Sequence, residues 1–416
     1  MKSKPLRYVE TYLFTTLFLY IVSYWETNKH GVVFTVVICA GYYFSMWLGY
    51  NSIKFPNVQP ANTRNRTINK TEINVLIVAS ITTILISIVN VLTFYPSLDI
   101  IKEFITDPAG AYEYVKFIRR NELQNAGMIT ISSSLIGITL TTLGFTKYIV
   151  IVFLPLYWNS LPSRAKAISI ASFFIYIVQA VLIGAMINIG VIMFSFFPIL
   201  FLYSEENGVQ SVGKRKKHAK VAVIAILLAG IALLYFMGTR FVSAEEGIEQ
   251  VFSEGISGII YYISHGYAGL STCFDLPFVP TFGVTTFRGL ATVLLPQGIY
   301  DSLWADSYLV RNQVYSGWQA LQVWSTVFSW IASDVSFFLI PFAMILIGRF
   351  MARVWKECLY TMNPYAVLMM GQLMIFSFMI PANNQLFHTY GNAIGTIIIY
   401  VIYKYSLGRT RISFRF

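Results

Sequence analysis

The sequence has little charge: 30 basic and 19 acidic residues leave 12% of 416 positions charged, against 56% hydrophobic. So little polar surface cannot cover a water-soluble globule of this length, which makes lipid the solvent for most of the chain. Cysteine is scarce as well. Cys39, Cys273 and Cys358 fall in an apolar run, a long loop and a basic loop, a distribution that excludes a disulfide framework. The four histidines lack the spacing of a zinc site, and neither a glycine-rich phosphate loop with Lys-Ser/Thr nor a nucleophile elbow is present. Zinc, nucleotide-driven and serine-hydrolase chemistry are set aside, and no cofactor is expected. Ionisable residues inside the apolar runs are few, with Asp334 the main exception, which weighs against an ion-coupled transporter or pump.

What the sequence has in abundance is apolar runs of about 17 to 23 residues, each able to cross a hydrocarbon core of roughly 30 Å as a helix. They are too long and too uniformly apolar for barrel strands, and a lipid-exposed backbone must bond internally. The expected fold is therefore all-α: a polytopic transmembrane bundle of about 10 to 12 spans, one integral membrane domain over residues 1–416. The net charge of +11 sits mainly in short segments between runs, the positive-inside pattern of a membrane protein and not a nucleic-acid surface.

That charge pattern sets a path. Tyr8–Trp25 follows Lys2, Lys4 and Arg7 without a cleavage site, so it is expected to stay as a helix with the N-terminus inside. Val32–Tyr50 and Ile73–Tyr95 lead to a first outer segment, residues 96–125. Between Gly127 and Tyr203 lie four apolar stretches where the flanks demand an odd number; Tyr148–Leu161, with Pro155, is expected to be re-entrant or merged. A basic cytoplasmic loop, residues 204–220, holds Lys214, Arg215, Lys216 and Lys217, and Val221–Met237 leads out to a large loop, residues 238–325. Thr326–Ile347, Tyr365–Ile380 and Asn392–Leu407 then complete about ten spans with both termini inside.

The large loop is rich in aromatics, and its segment Gly247–His265 carries Ile248, Val251, Phe252, Ile256, Ile259, Ile260 and Ile263 at helical spacing. That describes an amphipathic helix, in a loop expected to lie on the bilayer surface. Aromatics such as Tyr262 and Trp324 fit an interfacial belt or a platform for sugar rings. Arg119 and Arg120 close the first outer segment, Arg240 opens the loop, and Arg288 and Arg311 lie within it. A guanidinium fork suits a phosphate oxygen pair, although an arginine at a helix end also snorkels to ordinary lipid headgroups. His265 and His388 are candidate bases near neutral pH, the range in which an unperturbed imidazole changes charge, as are the acids of the loop.

From Trp324 to Phe337 the chain reads Trp-Ser-Thr-Val-Phe-Ser-Trp-Ile-Ala-Ser-Asp-Val-Ser-Phe. This resembles the bacterial oligosaccharide repeat-unit polymerases, the Wzy family of O-antigen and capsule polymerases, whose pattern is Thr-x-Phe followed by Asp-Phe-Gly. Thr326, Phe328 and Asp334 match; Ala332, Val335 and Ser336 depart. Tyr262–Asp275 resembles the family's loop-helix start, and Gly283, Thr286 and Phe287 resemble its Gly-x-x-Thr-Phe segment. Near Gly184, where many relatives carry Gly-x-Arg, this chain has no arginine.

The resemblance implies glycosyl transfer on the periplasmic face of the bacterial inner membrane. A glycan on undecaprenyl diphosphate would move to the non-reducing sugar of an incoming lipid-linked repeat unit, without a metal. Arg240 and Arg288 would bind the diphosphate and His265 or a loop acid would be the base. Arg119, Arg120, Arg311, Tyr262, Trp324, Asp334 and His388 would contact substrate, with a plainer role for Asp334 in bonding loop backbone. Partners would be the lipid-linked oligosaccharide, membrane lipid, a chain-length regulator and a flippase, with no nucleic acid. An O-antigen ligase and a flippase for lipid-linked oligosaccharide are the competing functions.

Overall fold

The computed structural model describes residues 4–23, 31–56, 68–94, 135–183, 187–206, 247–319 and 324–413, with isolated positions between 110 and 117 and between 231 and 238. The described residues hold helices and no strand, and the chain is an all-α, multi-pass membrane protein. Its helices are α1 (Lys4–Val22), α2 (Val32–Asn51), α3 (Lys70–Phe94), α4 (Leu135–Leu143), α5 (Thr146–Leu156), α6 (Ser163–Leu182) and α7 (Ile187–Glu206). After them come α8 (Gly247–Ser264), α9 (Gly266–Ser271), α10 (Arg288–Leu294), α11 (Gln297–Ala305), α12 (Tyr308–Ser316) and α13 (Val327–Val335). The last three are α14 (Ile340–Thr361), α15 (Pro364–Met379) and α16 (Tyr390–Ser413).

Among the described residues, five helices are long and apolar enough to cross a membrane: α2, α3, α4 with α5 as Gly137–Leu156, α6, and Phe337–Thr361, which contains α14. The merged segment resolves the odd-number problem. Tyr148–Leu161 does not stand alone: α5 continues α4 through the Gly144–Phe145 turn, so residues 137–203 hold Gly137–Leu156, α6 and the shorter apolar α7. The amphipathic segment forms α8 with nearly its expected bounds. The run Val221–Met237 and the outer segment 96–125 fall almost wholly outside the described residues.

Two compact units divide the chain: Met1–Arg64, Phe194–Leu202 and Tyr261–Phe416 make one, Asn65–Met193 and Tyr203–Ile260 the other. In the second, α3 packs on α5 and α6, and hydroxyl pairs tie the contacts: Ser80 with Ser169 and Thr83 with Thr146, each at 3.0 Å. In lipid, where apolar side chains gain nothing by leaving one another's company, such bonds and close packing hold helices together.

In the first unit, α2 and α14 run parallel. Gly49 meets the Ile345 carbonyl and Gly348 the Met46 carbonyl so closely that a Cβ on either would lie 2.1 Å from that oxygen. Small residues at both contacts let the two backbones approach. α15 is buried almost all round, as a central helix must be, and α16 returns beside it through Thr396 Oγ1 to Gln372 Oε1 at 3.3 Å and Asn363 Nδ2 to Ser406 Oγ at 2.8 Å.

One expected span is overturned. The run Thr326–Ile347 is broken at Ser336, whose φ of 70° and ψ of 154° end α13, and the crossing helix begins only at Phe337. Arg349, Arg353, Lys356 and Cys358 consequently lie within α14 and not in a loop beyond it. Hydropathy averaged over a span-length window runs through Ser333, Asp334 and Ser336 without marking the break; the break frees Asp334 at the end of α13 to reach another part of the chain.

Candidate functional site

The described residues between 265 and 339 fold against the middle of α1 and α2. Tyr267 of α9 is fully buried, with its hydroxyl 2.9 Å from Thr16 Oγ1 and 2.6 Å from the Tyr43 hydroxyl. The Phe328 ring of α13 lies 4.8 Å from that of Tyr42, and the Tyr42 hydroxyl donates to the Phe337 carbonyl at 3.1 Å. Asn312 Nδ2 donates to the Gly269 carbonyl at 3.0 Å and so fastens α12 to α9. Tyr267 and Tyr308 are buried packing groups, whereas Phe278, Phe282, Phe287 and Tyr315 are exposed.

Asp334 organises the turn before α10. Its Oδ2 accepts the Thr286 N–H at 2.7 Å, and its Oδ1 accepts the Gly283 N–H at 2.7 Å, the Thr285 N–H at 3.4 Å and the Thr281 hydroxyl. Thr281 N–H adds a bond to the Ser333 carbonyl at 2.9 Å. The turn needs such a clamp because Phe282 and Gly283 both take positive φ, 52° and 88°. Thus Asp334 bonds loop backbone, and the two stretches singled out by the resemblance meet at one carboxylate.

From this turn the chain presents Arg288 at the start of α10. Its Nε donates to the Tyr300 hydroxyl at 3.1 Å and its guanidinium lies 4.8 Å over the Trp304 ring, which itself stacks with Tyr300. A hydrogen bond on one side and an aromatic face on the other fix the plane of the fork. Among the described residues, none accepts from its two terminal nitrogens.

The segment between α15 and α16 closes on Arg288. Gly289 N–H donates to the Phe387 carbonyl at 2.8 Å, Asn384 Nδ2 donates to the Thr286 carbonyl at 2.7 Å, and the Phe287 and Phe387 rings meet at 5.1 Å. At Gly289 a Cβ would lie 2.1 Å from the Thr389 carbonyl carbon, so only glycine allows this approach. His388 follows, with Nδ1 3.1 Å from the Asn384 carbonyl and 3.2 Å from that of Gln385. Both neighbours are acceptors, so Nδ1 carries the proton and Nε2 keeps a lone pair. Burial and then the Arg288 charge push the His388 pKa down to about 4, against the smaller opposing pull of the two carbonyls. The imidazole is neutral at pH 7 beside a cation that is not.

The remaining candidates divide. His265 is 2% exposed; its Nδ1 lies 2.6 Å from the Tyr261 carbonyl and its ring is stacked on Tyr261 at 4.5 Å and Trp318 at 6.3 Å. A ring so covered packs among Tyr261, Tyr262 and Trp318. Tyr262 and Trp324 meet edge to face at 5.6 Å beside it, and Trp318 and Trp304 both pack on the buried Leu309 and Trp330. Arg311 spends its fork on main chain, with Nε on the Asp306 carbonyl and Nη1 on the Pro277 carbonyl, each at 2.8 Å. Those two bonds staple the loop, while Nη2 is buried without a hydrogen-bond partner among the described residues. Arg119, Arg120 and Arg240 lie outside the described residues.

Sequence reasoning missed Tyr300 and Trp304 as partners of Arg288, although both stand among the loop's aromatics, and missed Thr281 and Asn384 altogether. The first two carry no local signal, since an arginine does not announce the ring it will stack on. The run Asn383-Asn384-Gln385 directly after an apolar helix, buried throughout, is a polar cluster that could have been marked. No family model, curated protein or solved structure matches the chain.

Proposed function

We propose that this protein polymerises oligosaccharide repeat units carried on undecaprenyl diphosphate, as the resemblance to the Wzy polymerases implies. In this reading the chain crosses the bacterial inner membrane about ten times with both termini cytoplasmic, and residues 238–325 face the periplasm. The observation that carries it is the pairing of Arg288, its terminal nitrogens uncommitted, with neutral His388 on a turn clamped by Asp334. The pair suits a transfer that needs a fixed cation for a diphosphate and a base for a hydroxyl.

The chemistry balances with those two groups. The acceptor hydroxyl oxygen attacks the anomeric carbon of the donor glycan and its proton passes to His388 Nε2. The bond from that carbon to the phosphate oxygen breaks, and the electron pair leaves with the diphosphate, whose charge Arg288 stabilises. Stacked Tyr300 and Trp304 offer faces to a sugar ring beside the fork.

Deleting the gene in the source bacterium tests the reading. A polymerase null leaves single repeat units on the lipid A core, and restoration of the ladder by the wild-type gene completes the result. Long polymer left unattached on undecaprenyl diphosphate would instead make the protein a ligase, and repeat units trapped on the cytoplasmic leaflet a flippase.

A further inference from the structure

Phe337–Thr361 has the length and composition of a span, but a bilayer core exceeds the exposed apolar face of α14. Phe338, Phe342 and Leu346 line it, and the exposed Arg349 and Arg353 follow on the same face. Phe338 to Arg349 is about 17 Å of helix, against a hydrocarbon core of roughly 30 Å. Its neighbour α2 sets the level. Tyr42, which bonds the Phe337 carbonyl, lies about 15 Å from the Val32 end of a helix whose side chains Val33, Phe34, Val37, Phe44 and Trp47 are exposed on both sides of that point. α14 therefore begins near the middle of the thickness that α2 crosses. α15 ends close by, since the Val327 N–H at the start of α13 donates to the Ile380 carbonyl at 2.9 Å.

What stands at that level, in place of the missing half of a span, is the turn held by Asp334, two residues from the Ser336 break. Its buried threonines, Thr281 and Thr285, face the carboxylate, while Phe282 at its tip is 77% exposed and Phe278 is exposed just before it. A turn in water would show a polar tip. This one turns an aromatic outward at a positive φ and bonds the N–H groups of Gly283, Val284, Thr285 and Thr286 within the protein, as suits backbone at membrane depth. The lipid-facing stripe of α14, beginning with Phe338 at 92% exposure, supplies continuity.

We infer that residues 278–287 form a re-entrant element whose tip, Phe282, rests among acyl chains and continues the lipid-facing surface of α14. The partner is the bilayer itself, and the inference stands apart from the polymerase reading. Its consequence is that the turn before Arg288 is seated below the membrane surface and not above it.

Nitroxide labelling tests this in the full chain. Cys39, Cys273 and Cys358 are free but buried, so a label directed at Phe282→Cys or Phe338→Cys finds the introduced thiol, with the unsubstituted chain as the background control. In phosphatidylethanolamine/phosphatidylglycerol vesicles, both labels are expected to be relaxed more strongly by oxygen than by a water-soluble nickel chelate, with accessibility ratios within about twofold of each other. Relaxation dominated by nickel at Phe282→Cys would place the turn in water and overturn the inference, as would access to neither reagent, which would mean cover by protein. If Phe282→Cys fails to fold, Phe278→Cys carries the same expectation and the same overturning outcomes.

Discussion

The Gly283 backbone N–H donates to a carboxylate oxygen of Asp334 at 2.7 Å, across 51 residues of sequence. With the bonds from Thr281, Thr285 and Thr286, this makes one side chain the clamp of a turn whose backbone is left-handed at two successive residues. An ionised acceptor bonded to amide N–H groups is stronger than a neutral one, and removing it leaves several donors unpaired.

Asp334→Asn should accordingly destabilise the protein by about 2–4 kcal/mol, because the amide turns an NH2 group towards N–H donors. Denaturant unfolding in detergent measures it. Proteolysis within 278–287 should also speed up, which a defect elsewhere in the chain would not cause. Unchanged stability and unchanged cleavage would remove Asp334 from its role as clamp.

Ser336 has a φ of 70° and a ψ of 154°, a region that glycine enters freely and other residues enter at a cost of about 1–3 kcal/mol. Glycine in turn loses more chain entropy on folding, so Ser336→Gly should stabilise by a net amount on the order of 1 kcal/mol. Ser336→Val should do the opposite. A lower unfolding midpoint for the glycine variant would show that the serine side chain contributes more than the strain removes.

That position also shows how much was legible in the sequence. The all-α fold followed from uncharged runs, since lipid leaves helices as the form for such segments, and α2 and α3 lie close to the runs read from hydropathy. Hydropathy averages over a window and cannot register one backbone torsion, so Thr326–Ile347 read as a single span although Ser336 divides it. His388 and Arg288 were each visible as chemistry-bearing residues, but their neighbourhood depends on the approach of Gly289 to Thr389, and a glycine in a sequence does not name the backbone it will touch. His265 looked equally reactive because burial between Tyr261 and Trp318 is a tertiary fact.

Arg288→Lys tests whether the fork matters beyond its charge. Lysine keeps a cation but has neither the planar face for Trp304 nor the fixed Nε geometry for the Tyr300 hydroxyl. Transfer by this variant should fall at least about tenfold, and by Arg288→Ala about 100- to 1,000-fold, the range seen when one donor to a developing negative charge is lost. Chain-length ladders at matched protein levels give the readout; full activity with lysine would reduce the site to simple charge attraction.

His388 ties stability and activity to pH in a defined direction. Its pKa in the folded protein is about 4, against an ordinary 6.5, because burial and Arg288 disfavour the imidazolium. Between those two values the unfolded chain takes up a proton that the folded chain refuses, so stability is complete above pH 6.5 and declines as pH falls towards 4. His388→Gln should flatten that part of the decline, measured by unfolding midpoints at pH 7.5, 6 and 5. Arg288→Gln should raise the His388 pKa by removing the neighbouring charge, and so shrink the decline without abolishing it. As the base for the acceptor hydroxyl, His388 stays deprotonated across the neutral range, so the specificity constant kcat/KM should lose activity on the acid side near pH 4 and not near 6.5. His388→Gln should cost about 100- to 10,000-fold in rate. The residual activity of Arg288→Gln should lose its acid limb at a higher pH than the wild type. An acid limb that stays in place in that variant would assign the titration to another group and leave His388 a structural bond to Asn384 and Gln385.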